Sequence, residues 1–343
     1  MSDYFDRVER QIVSRVQDGI PRSSRLPAAV GHLYLAAAVV VVIVVAGVFL
    51  VAHGAGGGNR APAANAGASV TFNVVPGASP GDIDRAATIL AQRLHAAVPG
   101  ARVSSADGRI VVRVANPRAG ARGQIIALAA PGRLALYDWE ADAITPNGKT
   151  VASQLHAQAP AAVKISQGNG AIEAGGPGAG SLSRPQAMVL ASKRPGFVVL
   201  RAVDAGAGAA AQTAQFFVLR NIPAVSNSAI THPHVSRDRN TGTPGVVFGF
   251  TPGGRRAFAA LTASVARRAA LVSEPGQALN QHFAIALDDV LLSVPFIDYK
   301  QYPDGITGDN GADVFGSFTT QSAKTLATLL RYGPLPVDLT ATG

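Results

Sequence analysis

Leu33 to Ala52 form an uninterrupted apolar run of 20 residues without a charged side chain. A helix rising 1.5 Å per residue needs about 20 apolar residues to cross ~30 Å of hydrocarbon. No second run of this kind occurs in the sequence. The run predicts one transmembrane helix at 33–52, holding a large domain against one face of a membrane. Two other readings stand beside it. A secretory signal peptide has an apolar core of ~7–15 residues close to the N-terminus, whereas this run begins after 32 residues; Ala52-His53-Gly54-Ala55 is a weak cleavage candidate. A buried core helix usually keeps a polar face, and Val39 to Val45 has none.

Orientation follows basic residues near the span, acids counting for little. Arg22 and Arg25 stand on its N-side, within a tail that also holds Arg7, Arg10 and Arg15 against Asp3, Asp6, Glu9 and Asp18. The other side has no lysine or arginine before Arg60. The expectation is a single-pass protein of the cell inner (plasma) membrane. Its N-terminus is cytoplasmic and its main domain extracytoplasmic.

Hydrophobic residues make up 48% and aromatics 6%, so the core must be built from Ala, Val, Leu and Ile. Cysteine is absent, which excludes disulfides and thiolate zinc. The formal charge of +9 comes from scattered or paired cations such as Lys193-Arg194, Arg255-Arg256 and Arg267-Arg268, without interleaved aromatics. That distribution does not make the coherent basic face that nucleic acid requires. It suits weak attraction to an anionic lipid surface or to acidic partners, or a plain solvated surface.

Residues 53–68 read as a flexible linker of Gly, Ala and Pro. From Ser69 the pattern is regular. Val70, Phe72 and Val74 alternate as a strand. Ser79-Pro80 then opens a helix with Ile83, Ala86, Ala87, Leu90, Leu94 and Ala97 on one face. Strands at 102–104 and 109–114 flank Asp107-Gly108, a hairpin signal. A helix over 119–129 and a strand over 133–139 complete the order of a split βαβ unit. Residues 141–240 read as irregular, with loops at 175–180 and 205–211, a short helix at 186–193 and short strands at 197–200 and 216–219. Periodicity returns with a strand at 246–250 and a helix whose Phe258, Leu261 and Val265 share a face. Strands follow at 283–287 and 291–297 around Asp288-Asp289, then a strand at 314–318 and a helix at 320–331 capped by Thr319. The fold class expected is α+β. The expected division is a tail (1–32), a span (33–52), a linker (53–68), the first part of a ferredoxin-like base (69–140), an inserted α+β head (141–311) and a return to the base (312–343).

Chemistry is sparse. His232-Pro233-His234 with Asp238 supplies at most two histidine ligands, and reads better as an exposed loop. Asp304, Asp309, Asn310 and Asp313 resemble a calcium loop in composition but lack the spacing and terminal Glu of an EF-hand. Neither a nucleophile elbow nor a zincin or Walker motif occurs. The expectation is no enzyme, no cofactor, no metal site and no catalytic residue.

Three stretches carry a family resemblance. They are Gly254-Arg-Arg-Ala-Phe-Ala-Ala-Leu-Thr262, Phe283-Ala-Ile-Ala-Leu-Asp-Asp-Val-Leu-Leu-Ser-Val-Pro295, and Gly316 to Pro336 with its Phe-Thr, Leu-Leu-Arg and Gly-x-Leu-Pro elements. Together with Ala87-Thr-Ile-Leu-Ala-Gln-Arg-Leu94 they resemble the first periplasmic domain of the SecD/SecDF protein-export family, over roughly 69–339 and weakly within 141–240. One departure is the hairpin turn, Asp288-Asp289-Val290 where the family usually has Asp-Gly-Lys. The other is that the polar membrane spans following this domain in the family have no counterpart here, and the span at 33–52 holds no ionisable residue, as a charge relay would need. The resemblance implies an accessory to Sec-dependent export or later folding, not itself a proton-driven motor. Sec translocon components, other envelope membrane proteins and exported polypeptide are its implied partners. A non-enzymatic envelope scaffold or regulatory membrane protein with the same domain is the alternative, and a small-ligand binder in 141–240 a third.

Overall fold

The computed structural model describes residues 68–157, 182–203, 214–239, 241–273, 280–315 and 318–342. The expected tail, the apolar run at 33–52 and nearly all of the linker lie outside the described residues, as do the loops expected at 175–180 and 205–211. Among the described residues no helix is long and apolar enough to cross a membrane.

The first strand, β1 (Ala68–Val74), buries Val70 and Phe72 on one side, as its alternation requires. Helix α1 (Pro80–Ala97) starts where the Ser79 hydroxyl accepts the Asp82 amide at 3.1 Å, with Pro80 in the first turn. It turns Ala86, Leu90 and Leu94 inward. Strands β2 (Ala101–Ala106) and β3 (Arg109–Val114) are joined by Asp107 and Gly108, at φ 52° and 70°. Two positive φ values make the hairpin turn whose twist matches the strands. Helix α2 (Ala121–Leu128) and strand β4 (Leu134–Asp138) follow.

The described residues of the stretch expected to be irregular form regular elements, among them the short helix and the two short strands expected there. They hold α3 (Trp139–Asp142), β5 (Ala143–Ile144), α4 (Val151–Ala157), α5 (Arg184–Lys193), β6 (Phe197–Val203), β7 (Ala214–Arg220), β8 (Val225–Ser226) and β9 (Ile230–Arg237). Then come β10 (Pro244–Phe250) and α6 (Pro252–Val272), where the Thr251 hydroxyl accepts the Gly254 amide at 3.0 Å. Gly254 is needed here because a Cβ would stand 2.1 Å from the Ala229 carbonyl oxygen. Phe258, Leu261 and Val265 are buried, as their spacing predicts. Next are β11 (Gln281–Leu287), β12 (Val290–Ser293) and β13 (Phe296–Ile297), the single strand expected over 291–297 being interrupted at Val294-Pro295. The chain ends with β14 (Ala312–Phe315), α7 (Thr320–Tyr332), whose first turn is capped by Thr319, and β15 (Leu339–Thr342).

A four-stranded antiparallel sheet runs β15-β1-β3-β2. β1 and β2 are therefore parallel with β3 between them, the split βαβ order. One expectation is corrected here. β4 does not close this sheet; it pairs β11 from Leu134↔Leu287 to Asp138↔Phe283, and β8 on its other side. The fourth strand is β15, whose Leu339 lies opposite Val74. β4 is apolar on both faces, so only a sheet covered on both sides can take it. The larger sheet does this, in the order β5-β7-β6-β12-β11-β4-β8 with β13 on β11. A third sheet, β14-β10-β9, includes β14, a strand expected with the returning segment.

The small sheet packs Val70, Phe72, Ile110 and Val112 against Leu90, Leu94, Ile125 and Leu128. The large sheet has one core with α6, α7 and the three-stranded sheet, around Phe250, Phe258 and Phe283, and another around Trp139, Leu155 and Phe217. Helix α7 joins the two halves. Ala323, Leu326 and Leu330 enter the large core, while α7 also packs on α1 and α2. The expected packing of 69–138 against 312–339 is thus present.

Candidate functional site

Arg93 lies on the inward face of α1 and is fully buried. No described carboxylate forms an ion pair with it. Its Nη1 donates to the carbonyls of Leu128 (2.8 Å) and Ala130 (2.6 Å), and its Nη2 to Pro131 (2.9 Å) and Gly333. Burial pulls its pKa down to about 10, with Asp288 opposing. These carbonyls belong to the strand of chain leaving α2 for β4 and to the turn after α7. A planar fork of donors is suited to that task, and an ammonium is not. Gly132, at φ 80°, lets the chain pass; a Cβ there would meet the Arg93 guanidinium at 2.8 Å. The crossing is tied further by Asn227, which accepts the Leu134 amide and donates to the Gly132 carbonyl. The Leu335 amide donates to Pro131, and Asp288 accepts the Arg133 amide at 2.7 Å. Here the departure at the hairpin turn finds its use. Asp288 and Asp289 both adopt positive φ (52° and 60°), and the Asp288 carboxylate fastens the crossing strand.

Beside this crossing a groove of about 990 Å³ opens over the large sheet. Its floor and walls include Ala135, Ala286, Phe197, Val199 and Met188. At one end Tyr137 Oη donates to Asn221 Oδ1 at 3.3 Å. Burial, aided by Asp289 and Asp142, pushes the Tyr137 phenol up to about 12, so it stays a neutral donor. Asp289 at the rim is also raised by burial, with Arg133 opposing. A second hollow of about 470 Å³ continues past Met188 toward Arg184 and Arg201. Met188 is 52% exposed and Ile222, next to the lining residue Pro223, is 59% exposed. The groove can hold apolar side chains of an extended segment. β8, the edge strand of the sheet, ends beside it at Ser226.

The sheet is pinned by three acids at alternate positions that sequence reasoning missed. Asp138 pairs with Arg268, whose Nε also donates to Gln281 Oε1. Glu140, fully buried, accepts from His282 Nδ1 at 2.7 Å and from the His282 amide at 2.8 Å. Asp142 pairs with Arg220 at 3.1 Å, and Arg220 also donates to the Ala141 carbonyl. Burial raises the pKa of Asp138, and that of Asp142 to about 6, the arginines opposing it. Each acid meets its base from a different element, so the cluster fixes geometry. The run Asp138-Trp-Glu140-Ala-Asp142 reads as an ordinary half-exposed strand end, acids alternating with apolar residues, so the sequence carried no signal of their buried partners.

Of the weighed ligand candidates, Asp313 lies within electrostatic range of His234 and Asp238, but they form no metal group. His234 Nδ1 lies 2.9 Å from the His232 carbonyl oxygen. Asp309 pairs with Arg255, and Asp313 sits on β14. No group of three or more His, Cys, Asp or Glu suited to a metal occurs among the described residues. His232 and His234 lie on β9 and not in a loop; β9 went unread because Pro233 sits in a bulge opposite β10.

Comparison with known proteins bears on the later part of the chain. Residues 204–337 match the family model of the SecDF P1 head subdomain. Over part of its length the chain is similar to SecD subunits of the protein translocase. Protein translocase subunit SecD of Rhodobacter capsulatus is 34% identical over 125 residues, 36% of this chain and 19% of that protein. The SecD subunit of Streptomyces coelicolor is 34% identical over 92 residues, 27% of this chain and 14% of that protein. The matches thus span a fifth or less of the length of these SecD relatives. A crystal structure of SecDF in a super-membrane-facing form covers 82% of this chain, which covers 30% of it, with 19% identity and a TM-score of 0.48. A SecDF chain presented as a membrane component that enhances protein export shares 17% identity, with a TM-score of 0.46, covering 80% of this chain and 98% of that one.

The residues behind the P1 head resemblance have physical tasks. Gly254 admits Ala229, and Phe258 fills the core. Thr262, fully buried, accepts the Ile306 amide at 2.8 Å. The Pro295 carbonyl accepts the Phe283 amide, and Gly333 and Leu335 make the return crossing under Arg93.

Proposed function

We propose that this chain is a membrane-anchored, extracytoplasmic SecD-type domain that assists Sec-dependent protein export, or the folding of what emerges, without being a motor or an enzyme itself. The observation that carries this reading is the open apolar groove on the large sheet, next to a sheet edge, its lining shared between residues 133–199 and the P1 head match at 204–337. An extended polypeptide can lodge apolar side chains there and pair its backbone at the edge. The small split βαβ sheet acts as a ferredoxin-like base that holds the head at a set angle through Arg93. The apolar run at 33–52 supplies the tether to the inner membrane, N-terminus inside. Sec translocon components are the proposed neighbours, and tethering near them makes a weak contact effective.

The test compares export of a slow-folding client in cells holding the full chain, the chain released from its anchor, or neither. Faster export with the full chain alone is expected. Identical export in all three, with no translocon component crosslinked to the full chain, overturns the proposal.

A further inference from the structure

A second cleft, separate from the groove, lies between the small sheet's helices and the head. It has a volume of about 800 Å³ and is bounded by the end of α1, the start of α2, β9 and one face of α7. Its lining includes Arg118, Lys324 and Arg331 and no carboxylate. All three cations are exposed, and none forms an ion pair with a described carboxylate. Elsewhere on the surface Arg85, Arg133 and Arg255 each face an aspartate. Like charges gathered in a concave space focus a positive potential. Asp313 does not relieve it. That acid faces His234 across β10, because Val247 is the partner of both, so His234 is not counted among the free cations.

The cleft is also shaped. β9 and β10 slip register between Val247 and Gly249, and His232 takes φ 51°. A non-glycine residue at positive φ in a bulge re-aims the strand. The Pro233 carbonyl released by the bulge accepts from Arg331 Nη2 at 3.1 Å, which fixes that guanidinium at the cleft. Lys324 and Arg331 are seven residues apart on α7, with Thr328 between them also lining the space. On a helix this puts the two cations about 10 Å apart on one face. An extended chain of the polyproline type repeats every three residues at ~3.1 Å each, so acids at every third position present charges ~9 Å apart on one side. A segment with acids at that spacing can meet both cations at once.

We propose that the cleft between base and head is a docking site for an acidic, extended peptide segment of a partner protein, held by Lys324 and Arg331 of α7 facing Arg118. This site is distinct from the apolar groove and does not depend on it.

The test measures binding to the full chain of a peptide of about twelve residues with glutamate at every third position, and of its glutamine counterpart. R118E/K324E is the informative variant; Arg331 is left in place because it holds Pro233. R102E/R113E reverses two exposed arginines paired across β2 and β3 and makes the same change in net charge. Circular dichroism confirms that both variants fold. The glutamate peptide should bind the natural chain, weaken steeply from ~50 to ~300 mM salt, and lose at least about tenfold in affinity to R118E/K324E but not to R102E/R113E. Equal losses in the two variants, equal binding of the two peptides, or phosphatidylglycerol vesicles or inorganic phosphate engaging these cations where the peptide does not, would each overturn the assignment.

Discussion

Arg93→Met removes a fully buried guanidinium and keeps most of its aliphatic length. Four carbonyls lose a charged donor, and only Pro131 keeps another, the Leu335 amide at 2.9 Å. At roughly 1.5 kcal/mol for each bond to a charged group, the loss is about 6 kcal/mol. Against it stands relief from burying the charge. A pKa drawn down by burial to about 10 corresponds to about 3 kcal/mol held against the charged form. The expected net destabilisation is therefore about 3 kcal/mol. Arg93→Lys is no rescue. It keeps a buried charge, yet a single ammonium with three donors cannot reach four carbonyls on two chain segments. Urea unfolding of the full chain measures the loss. Hydrogen exchange localises it, with faster exchange expected at 129–135 and 333–337 before the sheet cores. A loss below about 1 kcal/mol for Arg93→Met, or natural stability in Arg93→Lys, would refute the reasoning.

Phe258 is 2% exposed, stacks on Phe250 at 4.9 Å and meets Phe283 edge-on at 6.0 Å. Phe258→Ala should cost about 3–5 kcal/mol in denaturant unfolding, and a cost below about 1 kcal/mol would show that the aromatic cluster does not support the head. Asp142 is held at about 6 by burial, above its unfolded value of about 3.9, so the native state binds the extra proton between pH ~4 and ~6. Stability should fall by up to about 3 kcal/mol as pH rises through that window, and Asp142→Asn should flatten this slope in unfolding curves taken at pH 4.5 and 7; an unchanged slope would refute the assignment.

The elements whose signals are local were legible. Ser79-Pro80, Thr251-Pro252 and Thr319 announce helix starts because a hydroxyl before a helix has one obvious task. Asp107-Gly108 announces a hairpin for the same kind of reason. What sequence spacing could not convey was membership. β4 reads as the natural close of the first sheet, since chain neighbours usually pair, but its two apolar faces needed the doubly covered sheet, and β15 took the vacated edge. β9 was hidden by Pro233, tolerated only because a bulge removes its need for an amide. The sites were less visible still. Arg93 falls on the apolar face by spacing, three residues after Leu90 and four before Ala97, but what it binds there emerges only when the carbonyls of two distant segments converge on it. Lys324, Arg331 and Arg118 look scattered in sequence and meet only through the packing of α7 on the base helices.

The central claim is that the domain contacts exported chain through the apolar groove of its large sheet. A photoactivatable crosslinker placed at Met188, which lines both hollows, tests it during export of a stalled client in living cells. Adducts with the client are expected from position 188, and few from Leu271, an exposed apolar residue outside both hollows. Client adducts of equal yield from both positions, or none from position 188 while the client occupies the translocon, would contradict the account.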